Sequence, residues 1–138
     1  MHDPGDGFDS TRAAPLVLIA DDNPRSRELL RTVLEHDGYT VLECANGNDA
    51  LITAERYRPD LILLDLRMPG RDGFQVLSAL RAIPELANSP VVALTASAML
   101  GDRERILCAG FTEHLSKPVH VSDLRRVVAQ LARSPTSR

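Results

Sequence analysis

Five polar residues stand directly after apolar runs of this sequence, and their side chains suit phosphate chemistry. Asp21 and Asp22 follow the first run, Asp65 follows the third, Thr95 the fourth and Lys117 the last. Three carboxylates at close range repel one another, and a divalent cation that prefers oxygen ligands, such as Mg²⁺, relieves that repulsion. A lysine ammonium and a threonine hydroxyl can bind phosphate oxygens. The set therefore predicts a Mg²⁺ site that handles phosphate.

Asp65 is the member of this set best suited to attack phosphorus. It stands alone at the end of an apolar run, and Pro69-Gly70 marks a turn soon after it. A carboxylate beside a metal and a lysine can act as a nucleophile and form an aspartyl phosphate. Single members have a structural alternative, since Asp22 or Asn23 could simply cap a helix. Their occurrence at successive strand ends favours a functional site.

The elements that must position these residues alternate along the chain. Apolar runs predict strands over residues 16–20, 40–44, 61–64, 91–94 and 113–115. The first, third and fourth lack polar alternation, which is typical of parallel strands buried on both faces. Helical spacing of apolar residues fills the intervals, and the helix near residues 98–109 has the thinnest apolar stripe. This alternation predicts an α/β fold with a five-stranded parallel sheet, helices on both faces and ligands at the carboxyl ends of the strands.

Length, charge and cysteine content limit the classes of protein to consider. A chain of 138 residues predicts a single domain, for which we expect a leader over residues 1–14, a folded unit over 15–133 and a tail over 134–138. The net charge of −3 gives no reason to expect nucleic-acid binding. Without a transmembrane run or signal peptide, we expect a cytoplasmic protein with no membrane partner. Cys44 and Cys108 lack metal-ligand spacing and are expected to be buried, reduced thiols.

The order and spacing of the motifs resemble those of receiver domains of two-component response regulators. The resemblance extends from about residue 16 to residue 131, and the stretches look closest to receivers of hybrid histidine kinases and to free-standing relatives. It implies a flavodoxin-like, doubly wound sheet with strand order 2-1-3-4-5. The motifs that carry it are Asp21-Asp22-Asn23, Asp65, Met68-Pro69-Gly70, Asp72-Gly73, Thr95-Ala96 and Lys117-Pro118.

The resemblance also implies a role for each site residue. Asp65 would accept the phosphoryl group from a phosphohistidine on a histidine kinase or histidine phosphotransferase, while Thr95 and Lys117 contact the phosphoryl oxygens. Such a domain is a phosphoacceptor that catalyses its own phosphotransfer and dephosphorylation, and not a conventional enzyme. The implied Mg²⁺ ligands are three carboxylates, one acting mainly through water, and one backbone carbonyl: Asp22, Asp65, Asp21 through water, and Arg67 through its carbonyl.

The output implied by the resemblance is a conformational switch. Phosphorylation should bias the fourth helix, fifth strand and fifth helix, and that face should bind a downstream protein target. The predicted switch residues are Thr95 and His114, the latter at a position where the family usually has Tyr or Phe. The alternative is that His114 is merely a tolerated surface residue. We expect a monomer, or a weak dimer that forms on phosphorylation.

Several alternative interpretations remain open. The sequence predicts no output domain after residue 131, but the chain could also be a receiver excised from a hybrid histidine kinase. A small haloacid-dehalogenase-type phosphatase would need a second Asp where this chain has Arg67. A flavin-binding protein would need a Ser/Thr/Gly-rich loop after the first strand, and a receiver that only binds partners is disfavoured by the intact motif. A further hypothesis is that the Arg67 side chain tunes the lifetime of the phosphoryl group.

Overall fold

The computed structural model describes residues 14–96 and 100–132, so the predicted leader and tail lie almost wholly outside the described residues. Within these ranges five strands alternate with five helices. The strands are β1 (Leu16–Ala20), β2 (Thr40–Cys44), β3 (Leu61–Asp65), β4 (Val91–Thr95) and β5 (Glu113–Ser116). The helices are α1 (Pro24–His36), α2 (Gly47–Tyr57), α3 (Gly73–Arg81), α4 (Leu100–Ala109) and α5 (Val121–Leu131), with a short 3₁₀ helix at Pro84–Leu86.

The five strands form one parallel sheet in the order β2-β1-β3-β4-β5, which confirms the predicted topology. Every residue of β1, β3 and β4 is buried, as the continuous apolar runs predicted. The prediction ended β3 and β4 one residue too early. Asp65 and Thr95 are themselves the last strand residues, because the pairing of Asp65 with Leu94 continues the sheet beyond the apolar runs.

Two apolar cores lie on the two faces of the sheet. Helices α1 and α5 cover one face, and α2, α3 and α4 cover the other. Side chains of the buried strands alternate between the two cores, so that Val17 and Ile19 face α1 and α5 while Leu18 faces α2 and α3. Among the described side chains of α4, residues 102–109, Ile106 is the one that is buried, as the thin apolar stripe predicted.

Local capping fixes where the helices begin and end. The Asn23 side chain accepts hydrogen bonds from two backbone N–H groups and starts α1, as predicted. Gly38 follows α1 with a φ of 96°, a conformation that favours glycine. Asp72 starts α3 through a capping box. His120 occupies the N-cap position of α5, and its side chain makes no capping hydrogen bond.

The prediction that both cysteines are buried is wrong for one of them. Cys44 is buried at the end of β2, and burial raises the pKa of its thiol. Cys108 is exposed, because it lies on α4, where only Ile106 of the described side chains is buried. In the part of the chain that the structure describes, no helix has the length and apolar character needed to span a bilayer.

Candidate functional site

The sheet brings four of its strands to a common edge, and the predicted site residues meet there. Asp65 and Thr95 end β3 and β4, Asp21 follows β1 directly, and Lys117 follows β5. The Lys117 backbone N–H donates to the Thr95 carbonyl at 2.7 Å, which extends the pairing of β4 and β5 to the site. This is the edge at which parallel α/β sheets bind ligands.

Lys117 links two buried carboxylates at the bottom of the site. Its Nζ lies 2.8 Å from Asp65 Oδ2 and 2.9 Å from Asp21 Oδ2. Both carboxylates are also oriented by the backbone two residues further on, because Asn23 N–H donates to Asp21 Oδ1 at 2.9 Å and Arg67 N–H donates to Asp65 Oδ1 at 3.0 Å. The ammonium therefore offsets the repulsion between two fixed negative charges.

Burial and these contacts separate the electrostatic environments of the two carboxylates. Burial raises the pKa of Asp65 above its usual value, and the hydrogen bonds from Lys117 and from Arg67 N–H offset only part of that shift. Burial also opposes ionisation of Asp21, but the Asn23 N–H and Lys117 outweigh it and lower the pKa of this carboxyl. The pKa of Lys117 is raised, because the contacts with both carboxylates outweigh its own burial. Lys117 therefore stays cationic at neutral pH.

Three carboxylates of the site can turn one oxygen each towards a common point. The ligand oxygens of Asp21, Asp22 and Asp65 lie within 4.8 Å of one another. Asp21 Oδ2 is buried, and the contact that the structure gives it is the ion pair with Lys117 Nζ. Asp22 is exposed at the mouth of the site. A set of carboxylate oxygens with solvent access on one side fits Mg²⁺, which keeps several of its waters.

Close backbone packing holds the loop between β3 and α3 against the site. A Cβ on Gly73 would lie 2.8 Å from the Asp65 carbonyl oxygen, so the first turn of α3 sits directly against the end of β3. A Cβ on Gly47 would lie 2.5 Å from the Arg71 carbonyl oxygen, so the same loop also packs on the start of α2. Sequence reasoning missed Gly47, because a contact between two distant turns leaves no periodic signal.

A cleft of about 950 Å³ opens above Asp65, Thr95 and Lys117. Helices α3 and α4 form one wall of this cleft, and their contributions include Phe74, Asp102, Arg105 and Ile106. The guanidinium carbon of Arg105 lies 4.3 Å from the centre of the Phe74 ring, and Phe74 packs edge-on against Phe111. Sequence reasoning did not identify Arg105 or Phe74 as part of the site.

The predicted switch residue His114 lies beside the cleft rather than in it. It is a half-buried residue of β5, and it does not line the cleft. Its Nδ1 is 3.4 Å from Glu113 Oε1 and receives no hydrogen bond from the described residues. His114 is paired in register with Ala93, two residues before Thr95 on the neighbouring strand. The prediction that it acts as a switch residue stays a prediction.

The arrangement thus combines the groups that phosphoryl transfer requires. Asp65 offers a carboxylate with one oxygen against an ammonium, Lys117 is a fixed cation, and Thr95 adds a hydroxyl-bearing side chain to the same cleft. A phosphoryl group on Asp65 would lie among donors and cations, and the three clustered carboxylates could hold a divalent ion beside it.

Comparisons with known proteins agree with this description. The sequence model of the response regulator receiver domain matches residues 17–129. The polar-differentiation response regulator DivK of Brucella anthropi is 42% identical over 105 residues, which cover 76% of this chain and 85% of DivK. The signal transduction histidine-protein kinase BarA of Escherichia coli is 34% identical over 120 residues, which cover 87% of this chain but only 13% of BarA.

Solved structures give the same result for the fold. A putative response regulator from Chloroflexus aurantiacus superimposes with a TM-score of 0.81 and 32% identity, covering 87% of this chain and 99% of that chain. The receiver domain of a sensor histidine kinase from Pseudomonas aeruginosa gives a TM-score of 0.80 and 36% identity, covering 86% of this chain and 98% of that one. The latter structure has a magnesium ion coordinated in its active site cleft.

Proposed function

Because the chain belongs to the family of response regulator receiver domains, we propose that Asp65 accepts a phosphoryl group from a phosphohistidine on a partner protein. The donor would be a histidine kinase or a histidine phosphotransferase. The observation that carries the proposal is the 2.8 Å contact of Lys117 Nζ with Asp65 Oδ2 in a cleft that Thr95 also lines. The proposed receiver domain comprises residues 15–133 and acts in the cytoplasm, where the ATP that loads histidine kinases is found.

The transfer exchanges a phosphorus–nitrogen bond for a phosphorus–oxygen bond. A carboxylate oxygen of Asp65 attacks phosphorus while the bond to the donor's imidazole nitrogen breaks. The electron pair of that bond stays on the imidazole, which takes up a proton from solvent. Lys117 and Thr95 contact the phosphoryl oxygens and so stabilise the negative charge in the transition state. Hydrolysis of the same acyl phosphate by water would return the domain to its starting state.

Asp22, Asp65 and the backbone carbonyl of Arg67 would hold Mg²⁺ in this cleft, with Asp21 acting mainly through water. When bound, the ion neutralises charge on the phosphoryl oxygens and orients the phosphoryl group for transfer. The clustering of three carboxylate oxygens within 4.8 Å supports this assignment, as does the buried Asp21 Oδ2 without a hydrogen bond. The magnesium ion in the cleft of the similar Pseudomonas aeruginosa receiver domain supports it independently.

The signal would pass to a downstream protein through the face formed by α4, β5 and α5. A phosphoryl group adds about −1.5 to −2 charges to a cleft whose wall includes α4, and α4 buries only Ile106 among its described side chains. Thr95 and His114 would couple the phosphoryl group to this face. We expect the domain to signal through protein–protein contact, as a monomer or as a weak dimer that forms on phosphorylation.

Intact mass spectrometry tests the proposal directly. The purified chain is treated with acetyl phosphate and, separately, with a histidine phosphotransferase that carries a phosphohistidine, each with Mg²⁺ or with EDTA. We expect the gain of one phosphoryl group from at least one donor, only with Mg²⁺. Asp65→Asn should abolish the gain. The control Asp102→Asn, which removes another carboxylate from the same cleft, should retain it.

Two results would contradict the proposal. One is a phosphoryl gain by Asp65→Asn equal to that of the unchanged chain, which would assign the acceptor to another residue. The other is the absence of any gain from both donors, which would make the domain a binding module without phosphotransfer. A gain that persists in EDTA would overturn the role of Mg²⁺ alone.

A further inference from the structure

We propose that Arg105 is a binding residue for the phosphodonor, because its guanidinium draws the anionic phosphoryl group into the cleft above Asp65. The inference rests on the proposed function of Asp65 and deepens it. The ligand it concerns is the phosphoryl group itself, whether carried by a phosphohistidine or by a small acyl phosphate. Arg105 lies on α4, outside the set of residues that the acceptor chemistry requires.

The first argument is the position of the guanidinium. Arg105 and Phe74 line the same cleft as Asp65 and Lys117, one from α4 and the other from α3. The Arg105 Cζ lies 4.3 Å from the centre of the Phe74 ring, well inside the range of a cation–π contact. The ring is itself held by Phe111, at a centroid distance of 5.7 Å and an interplanar angle of 83°. The cation therefore lies over a ring that Phe111 supports, at the rim of the cleft.

The second argument is the geometry of the guanidinium group. The guanidinium carries five N–H donors in its plane, and a contact with one ring face cannot engage all of them. Arg105 can therefore keep N–H donors for the oxygens of a phosphoryl group. Arg67 also lines the cleft, but in the part of the chain that the structure describes its guanidinium makes no ring contact of this kind.

The third argument is the distribution of charge. The cationic Lys117 already contacts Asp21 and Asp65. The negative charges of these two carboxylates largely cancel the attraction of Lys117 for an approaching phosphoryl group. With Mg²⁺ bound as proposed, the three clustered carboxylates balance the ion and Lys117, so the site carries no net positive charge towards an incoming dianion. A further cation at the rim attracts that dianion during its approach. Arg105 is exposed and lines the rim, so it meets this requirement.

A charge series at position 105 tests the inference. Phosphorylation by acetyl phosphate with saturating Mg²⁺ is followed by intact mass; the Asp65 oxygen attacks phosphorus and acetate leaves with the electron pair. We expect the rates to fall in the order Arg105, Arg105→Lys, Arg105→Gln and Arg105→Glu. At low salt the Glu variant should be slower by about tenfold. The differences should shrink in 1 M salt, where charges are screened within about 3 Å.

Arg103→Glu is the matched control. Arg103 is an exposed arginine of the same helix that does not line the cleft, and its substitution changes the net charge equally. We expect its rate to stay within about twofold of the unchanged chain, because its side chain does not line the cleft and water separates its charge from the incoming anion. Equal slowing by Arg103→Glu and Arg105→Glu would assign the effect to overall charge and overturn the inference.

Two further outcomes separate this inference from the proposed function. Equal slowing by all three Arg105 variants, independent of charge and salt, would indicate that Arg105 only packs against Phe74. That result would overturn its role in donor binding and leave the proposed function of Asp65 standing. Failure of the unchanged chain to be phosphorylated on Asp65 would overturn the proposed function together with the inference. A graded, salt-sensitive series with an unaffected Arg103→Glu variant would establish the inference.

Discussion

Helices α4 and α5 differ little in length and both pack against β5, yet the sheet holds them in different ways. Helix α5 buries Leu124, Val127 and Val128 in the core. Among the described side chains of α4, residues 102–109, Ile106 is buried while Leu107 is exposed. Because each fully buried aliphatic side chain contributes about 1.5–3 kcal/mol, α5 is anchored more strongly than the described part of α4.

The weakly anchored helix is the one that forms a wall of the cleft above Asp65. Asp102, Arg105 and Ile106 of α4 line that cleft, whereas no residue of α5 does so in the described part of the chain. Segments with few buried apolar contacts open at low free-energy cost, and switching elements are drawn from such segments. Under the proposed function, a phosphoryl group on Asp65 would therefore act on the more weakly anchored of these two helices, while α5 supports the other face of the sheet.

The largest expected effect comes from comparing one leucine on each helix. Leu124→Ala should lower the free energy of unfolding by about 2–5 kcal/mol, because it empties a core position that is 1% exposed. Leu107→Ala should lower it by less than about 1 kcal/mol, because that side chain is 40% exposed. Urea titration followed by far-ultraviolet circular dichroism measures both values.

Equal destabilisation by the two substitutions would contradict the comparison. A cost for Leu107→Ala above about 2 kcal/mol would mean that α4 is held by apolar packing much as α5 is. In that case the proposal that α4 responds readily to phosphorylation would lose its physical basis.

The contrast between these helices was largely predictable from the sequence. The spacing of Leu124, Val127, Val128 and Leu131 predicts a continuous apolar stripe, whereas the segment 98–109 shows only a thin one. The fold was predictable for a similar reason, since continuous apolar runs separated by amphipathic segments specify a covered parallel sheet. The residues proposed for phosphotransfer were found because their types follow successive strands.

The other features of the cleft and of its surroundings depend on three-dimensional contacts that the pattern of a single sequence does not reveal. The stacking of Arg105 on Phe74 joins two helices that are far apart in the chain, and neither residue breaks a periodic pattern. Gly47 is required by a close approach to the Arg71 carbonyl, which is visible only in three dimensions. The exposure of Cys108 was mispredicted, because burial was assigned from residue type on a helix that buries little.

The second expected effect concerns local opening of the two helices. Backbone amides in the second half of α4, residues 104–109, should exchange with solvent deuterium at least tenfold faster than those in the second half of α5, residues 125–131. That ratio corresponds to a difference in opening free energy of about 1.4 kcal/mol. The physical reason is the single buried side chain on the described part of α4. Hydrogen exchange measured by nuclear magnetic resonance resolves the individual amides. Comparable protection of both segments would show that α4 is as stable locally as α5.

The smallest expected effect concerns an ionic contact of α5. Arg125 Nε lies 2.8 Å from Oδ2 of Asp37, the residue that ends α1, and so links the two helices on one face. The Arg125 side chain is 47% exposed, so water and salt screen the pair, and exposed pairs contribute about 0.2–1 kcal/mol.

A double-mutant cycle of Arg125→Gln and Asp37→Asn should therefore give a coupling free energy within that range, and 1 M salt should reduce it. The control pair is Arg126 and Asp123, both on α5, whose Nη2 and Oδ1 atoms lie 3.5 Å apart. Both side chains are more exposed than those of the first pair, so the coupling free energy of the control pair should be smaller. A salt-insensitive coupling above about 2 kcal/mol for Arg125 with Asp37 would mean that charge, and not apolar packing, accounts for much of the firm attachment of α5. The contrast with α4 would then rest on an interaction that the apolar patterns of the two helices do not reveal.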